Sequence, residues 1–190
     1  GYDNIDVTAC TRRGVSVCNV RGYANYSVSD HALALVLACA RGLPRGLKNL
    51  RRRFGMPPRP DNLDLHDKTL GIVGLGNIGS TLCARARSLF RRVLATDPYV
   101  PAKRFHALGA EAADLHRLLR ESDVITLHCN LTGETRHLID EAAFARMERR
   151  PILINTARGE VVEPRALLKA LREGRIHSAG VDVFPEEPPG

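Results

Sequence analysis

Gly74-Leu75-Gly76-Asn77-Ile78-Gly79 sets three glycines in the spacing G-x-G-x-x-G, and an acid, Asp97, follows eighteen positions after the last of them. This pattern suits holding the diphosphate and one ribose of a dinucleotide. Gly74 would permit the tight turn out of a strand, and Gly76 would let a pyrophosphate come up against the backbone. Gly79 would allow close packing of helix on strand. The free N–H groups and positive dipole of the helix N-terminus would then hold the anion. Asp97 would accept hydrogen bonds from the adenosine ribose and repel a 2′-phosphate, which favours NAD over NADP. Glycines at this spacing also arise by chance. The signal therefore rests on a strand before the motif, a helix opened by it, and the acid at the end of the next strand.

The flanking sequence predicts all three. Residues 69–73 read as a buried strand, and 77–90 as a helix with Ile78, Leu82, Ala86 and Leu89 on one face. Residues 93–96 form the next strand, and Pro101 suits the first turn of a short helix. A helix over 114–120, a strand over 124–128, and a helix over 141–147 capped by Asp140 come next. A strand over 152–155, a helix over 164–173 closed by Gly174, and a strand over 178–183 complete the run. Strands alternating with helices predict an α/β fold: a doubly wound parallel sheet of Rossmann type. The first third reads differently. It holds a helix over 5–13, a short strand over 15–18 and a strongly apolar helix over 30–41, which Gly42 and Pro44 break. A basic stretch to Arg53 and a proline-rich loop over 56–61 follow. With no complete sheet of its own, this third reads as the edge of a neighbouring domain plus a long connecting helix.

The formal charge of +7 raises the question of nucleic acid. The arginines are scattered over separate segments, and the few aromatic residues do not interleave with them, so no phosphate-tracking stripe forms. A basic nucleic-acid-binding module of Rossmann type therefore ranks last among the readings. No apolar run approaches the roughly 20 residues that span a bilayer. Five cysteines without C-x-x-C spacing argue for reduced thiols and a cytoplasmic setting rather than disulfides or zinc. His128 and Cys129, adjacent in a strand, would point to opposite faces, so no metal site is expected. The sequence opens on Gly1 rather than Met, and the expectation is that it begins inside a longer protein.

Several blocks together resemble the D-isomer-specific 2-hydroxyacid dehydrogenase family, which includes glycerate, phosphoglycerate and D-lactate dehydrogenases. They are Gly1-Tyr2-Asp3-Asn4-Ile5-Asp6, Ser27-Val28-Ser29-Asp30-His31, and Lys68-Thr69-Leu70-Gly71-Ile72-Val73 with the glycine motif. Leu127-His128-Cys129-Asn130-Leu131-Thr132, Asn155-Thr156-Ala157-Arg158-Gly159 and Val181-Asp182-Val183-Phe184-Pro185-Glu186-Glu187-Pro188 continue the likeness. The resemblance implies that residues 1–25 close an incomplete substrate-binding domain. Residues 26–190 would be the NAD-binding domain with its interdomain helix.

It also implies roles. Arg158 matches the arginine that clamps the substrate carboxylate and polarises the carbonyl, a task its two-pronged guanidinium suits. Glu187 matches the glutamate that pairs with a catalytic histidine; Glu186 competes, but the family motif sets the acid immediately before proline. Asp182 matches the residue that receives the nicotinamide carboxamide. Asn77 and Ile78 match the backbone pair on the pyrophosphate, while Cys129, Thr156, Ala157 and Arg158 line the cofactor groove. The family often has proline where Asn130 stands. Its acid–base histidine lies beyond the Glu-Pro motif, past Gly190, and none of the seven histidines present takes its place. The implied reaction is reversible hydride transfer between NAD and a D-2-hydroxy or 2-oxo acid. This chain alone is expected to bind NAD but turn over little. A homodimer through the cofactor domain is implied, with helix 30–41 the candidate surface. A corepressor of the same family, gated by NADH, is the alternative.

Titration with NADH and NADPH, followed by nicotinamide fluorescence, checks Asp97. NADH should bind clearly more tightly, and Asp97→Ala should erase most of that preference. An unchanged preference in the variant contradicts the assignment.

Overall fold

The computed structural model describes residues 5–20, 22–44, 46 and 62–186. These residues form a six-stranded, wholly parallel sheet. Its strands are β1 (Thr69–Val73), β2 (Arg92–Thr96), β3 (Glu111–Ala112), β4 (Val124–Leu127), β5 (Ile152–Asn155) and β6 (Ser178–Val181). Before β1 come helices α1 (Val7–Arg12) and α2 (Asn25–Ala40). Between the strands lie α3 (Asn77–Ala86), α4 (Ala102–Ala107), α5 (Leu115–Glu121), α6 (Glu141–Ala145) and α7 (Pro164–Arg172). The strand order is β3-β2-β1-β4-β5-β6, so the chain starts mid-sheet, winds to one edge, then returns and winds to the other. The doubly wound expectation holds. The reversal between β1 and β4 opens the crevice in which such sheets bind ligands.

Three layers follow from side-chain alternation along strands buried on both faces. Leu70, Ile72, Val124, Ile152 and Ile154 join Ala32, Val36 and Ala40 of α2 and Leu82, Cys83 and Ala86 of α3 in one core. Val73, Ile125, Leu127 and Leu153 face the other way, against Leu118 of α5, Phe144 of α6 and Ala166 and Ala170 of α7. Helix starts are set by short acids. Asp114 Oδ1 accepts from Arg117 N, and Asp140 Oδ1 accepts from Ala143 N.

Several expectations need correction. α3 stops at Ala86 and tightens into a 3₁₀ turn over Arg87–Leu89, which leaves Leu89 exposed rather than on the buried face. Pro101 caps α4 from outside its first turn. Residues 15–18 are not a strand: the run is mostly exposed and pairs with no strand of the sheet. α2 begins at Asn25, five residues before its apolar stretch. The two-residue β3 is too short and too polar to leave a pattern. Residues 51–53 and the proline-rich loop 56–61 lie outside the described residues.

α2 is not detached from the sheet. Arg85 of α3 pairs with Asp30 at 2.7 Å and lies over the Tyr26 ring, its guanidinium carbon 5.6 Å from the centroid. On the other face, α5 approaches β1 so closely that a Cβ on Gly71 would sit 2.3 Å from Ser122 Oγ and 2.8 Å from Leu118 Cδ2. Gly71→Ala should therefore lower stability by about 2 kcal/mol through overpacking. The check is a lower urea midpoint at unchanged slope; an unmoved midpoint contradicts this packing.

Candidate functional site

Parallel register brings the strand ends into one row. Thr96 pairs with Val73, Val73 with Leu127, Leu127 with Asn155, and Asn155 with Val181. Just beyond those residues stand Asp97, Gly74, His128, Thr156 and Asp182. Candidates scattered over more than a hundred positions of sequence thus lie along one edge of the sheet.

The glycine turn is pinned from two directions. Gly74 has φ +91°, a left-handed conformation that L side chains resist. A Cβ there would lie 2.7 Å from Cys129 N and 2.8 Å from His128 C, so the turn rests directly on the loop after β4. From the β2 side, Asp97 Oδ2 accepts from Leu75 N at 2.8 Å, and its Oδ1 accepts from Tyr99 N at 3.0 Å. Gly79 packs on the turn more than on the strand, since its Cβ would fall 2.0 Å from Gly74 O. Gly76, by contrast, opens outward: nothing lies within 4 Å of the position a Cβ would take. α3 starts there with Asn77 and Ile78 and has no side-chain cap, leaving its first N–H groups for an outside acceptor. This open cradle, with a buried and unpartnered Thr156 Oγ1 at the end of β5, fits a diphosphate-bearing cofactor.

Asn155, almost fully buried, organises the other half of the row. Its Nδ2 donates to Arg158 O at 2.9 Å, and its Oδ1 accepts from Ala157 N at 3.0 Å. Its backbone carbonyl accepts from Asp182 N at 3.0 Å. One side chain thus shapes the turn that carries Arg158, while the same residue ties down Asp182. Arg158 Nη1 also donates to Ala157 O at 2.7 Å. The next residue, Gly159, leaves room for the segment that follows β6. A Cβ there would come within 2.1 Å of Phe184 C and 2.3 Å of Pro185 N. That segment carries Glu186, which is exposed; Glu187 lies outside the described residues.

Residues 33–190 match the NAD binding domain of the D-isomer specific 2-hydroxyacid dehydrogenases. The chain belongs to this family. It is 40% identical to a D-3-phosphoglycerate dehydrogenase of Methanocaldococcus jannaschii, with all of this chain and 36% of that protein aligned. With a glyoxylate reductase of Korarchaeum cryptofilum it shares 42% identity, over 99% of this chain and 58% of the relative. Among solved structures, a D-lactate dehydrogenase of Aquifex aeolicus complexed with NAD and lactic acid superposes with a TM-score of 0.89 at 34% identity. That match covers 98% of this chain and 56% of the other. The chain thus spans between about a third and three fifths of the curated relatives it matches.

Within this 2-hydroxyacid dehydrogenase domain, two residues quoted in the family blocks, Asn155 and His31, make contacts to which the motif reading assigned no role. Asn155 opens the block that carries Arg158, but its hold on that turn is visible only in the structure. His31 stands on α2, and its Nε2 comes 3.3 Å from Asp182 Oδ1, a pairing no sequence spacing announces. Among the described residues no cluster of His, Cys, Asp or Glu could hold a metal ion. Nor is any helix among them long and apolar enough to cross a membrane.

Burial tunes two groups beside the glycine turn. The Cys129 thiol is pushed up to about 11, so it stays protonated. His128 is pushed down to about 4, and its ring is held by Thr126 Oγ1 at 2.9 Å while Nδ1 has no partner. The unfolded chain takes up this proton near pH 6.5 and the folded chain only near 4. Its contribution is therefore whole above pH 6.5 and is lost as pH falls toward 4. The melting temperature should drop between pH 7 and pH 5, with about 4 °C of that drop due to His128. His128→Gln should remove that share of the slope; parallel slopes contradict it.

Proposed function

We propose that this chain provides the cofactor side of an enzyme that moves a hydride reversibly between NAD and C2 of a D-2-hydroxy acid or its 2-oxo counterpart. One observation carries the reading: Arg158 and Asp182 leave adjacent strands on the edge that bears the open glycine cradle and Asp97. NAD, when bound, supplies the hydride acceptor or donor. The N–H groups of Asn77 and Ile78 hold the diphosphate, with Gly76 giving it access. Asp97 meets the adenosine ribose, Cys129, Thr156 and Ala157 line the groove, and Asp182 takes the carboxamide.

Arg158 forks the substrate carboxylate and polarises the carbonyl as negative charge grows on its oxygen. Lysine could not replace it, because a point charge lacks the two parallel donors. The approach that Gly159 permits brings Phe184 and Pro185, just before Glu186, against the Arg158 turn. Glu187 is the acid that favours the protonated form of an acid–base histidine, which the family sets beyond the Glu-Pro motif. Residues 1–25 are assigned to the substrate-binding side of the cleft. Pairing of two chains belongs to the same reading. Ala32, Val36 and Ala40 of helix 30–41 belong to this domain's own core, which leaves exposed Leu37, with Tyr23, Tyr26 and Leu43, as support.

In an enzyme carrying this chain at the length of its relatives, Arg158→Ala should lower kcat/KM for glyoxylate or hydroxypyruvate by about a hundredfold or more. NADH affinity should stay within about twofold, since the arginine serves the acid. A variant with near-normal kcat/KM contradicts the assignment.

A further inference from the structure

Asp182 emerges from β6 with its backbone N–H bound to Asn155 O, while its carboxylate meets α2. There Oδ1 lies 3.3 Å from His31 Nε2, both side chains about half exposed at 48% and 52%. Oδ2 has no hydrogen-bond partner among the described residues. The placement of His31 is not loose. One residue before it, Asp30 is fixed to Arg85 of α3 at 2.7 Å. Farther along the same helix, α2 lies against β6 because residue 180 has no side chain. A Cβ on Gly180 would stand 3.2 Å from Leu35 Cβ and 3.5 Å from Cys39 Sγ. The imidazole is thus delivered to Asp182 by a helix held against both α3 and the sheet.

We infer that His31 is a positioning residue for the nicotinamide end of the cofactor: it engages Asp182 Oδ1 and leaves Oδ2 facing a carboxamide N–H donor. This rests on Asp182 as the carboxamide partner in the proposed function. An exposed carboxylate on a short loop samples several orientations, and fixing one beforehand lowers the ordering cost of binding. The effect should be confined to the nicotinamide half, because the diphosphate and ribose contacts belong to the β1–β2 side of the sheet. It also gives α2 a direct link to the reacting end of the site.

The test compares NADH with ADP-ribose, which keeps the diphosphate and both ribose rings but lacks nicotinamide, by calorimetric titration of the protein. His31→Ala should weaken NADH about three- to fivefold, the range of a single partly exposed polar contact, and leave ADP-ribose within about twofold. A merely structural role would move both ligands together. In an Asp182→Ala background, adding His31→Ala should change NADH affinity no further. The inference is overturned by unchanged NADH affinity in His31→Ala, by parallel loss of ADP-ribose, or by an effect that persists without Asp182. Failure of the wild-type protein to bind ADP-ribose would instead sink the cofactor assignment, and the inference with it. A melting temperature within about 2 °C of wild type shows that the variants are folded.

Discussion

The turn between β1 and α3 depends on being gripped from both neighbouring strands. Asp97, at the end of β2, binds Leu75 N, while the loop after β4 lies so close to Gly74 that no side chain could fit between. Gly74 N also donates to Thr96 O at 2.9 Å, and Ser80 Oγ to Leu75 O at 2.8 Å. Together they hold the start of α3, with its uncapped N–H groups, over the crevice where the strand order reverses. Asp97 therefore has a structural duty that its reading as a ribose partner did not include. Each of its oxygens already accepts one backbone donor, which aims the carboxylate before any ligand arrives.

The same economy recurs on the other side of the crevice. Asn155 does for the β5 end what Asp97 does for the β2 end, because one residue there governs the turn of Arg158 and anchors Asp182. The family match and the solved relatives give this domain its NAD-binding character. In this chain Asp97 and Asn155 each brace a loop at the strand-end row, Asp97 just past β2 and Asn155 at the end of the buried β5.

The sheet was largely legible in the sequence, and for a clear reason. β1, β4 and β5 are buried on both faces, so they read as short aliphatic runs between helix starts marked by Asp114, Asp140 and Pro164. What escaped was set by tertiary contact. β3 exists only because Glu111 and Ala112 can add to β2. The run 15–18, rich in β-branched residues, lacks such a neighbour and stays coil. The end of α3 is fixed by where the chain must turn into β2, not by its apolar spacing. Of the candidate site, the glycine motif singled out its glycines and Asp97, and the family blocks singled out Arg158 and Asp182. His31 stayed hidden because 151 positions separate it from Asp182, and only the lie of α2 across the sheet joins them.

The most direct measurement is a crystal structure of the protein grown with NAD. The diphosphate should lie on the N–H groups of Asn77 and Ile78 beside Gly76. The adenosine ribose should sit on Asp97, and the nicotinamide between Asp182 and Arg158. A cofactor bound elsewhere, or in this crevice with its nicotinamide at the Asp97 end, would contradict it.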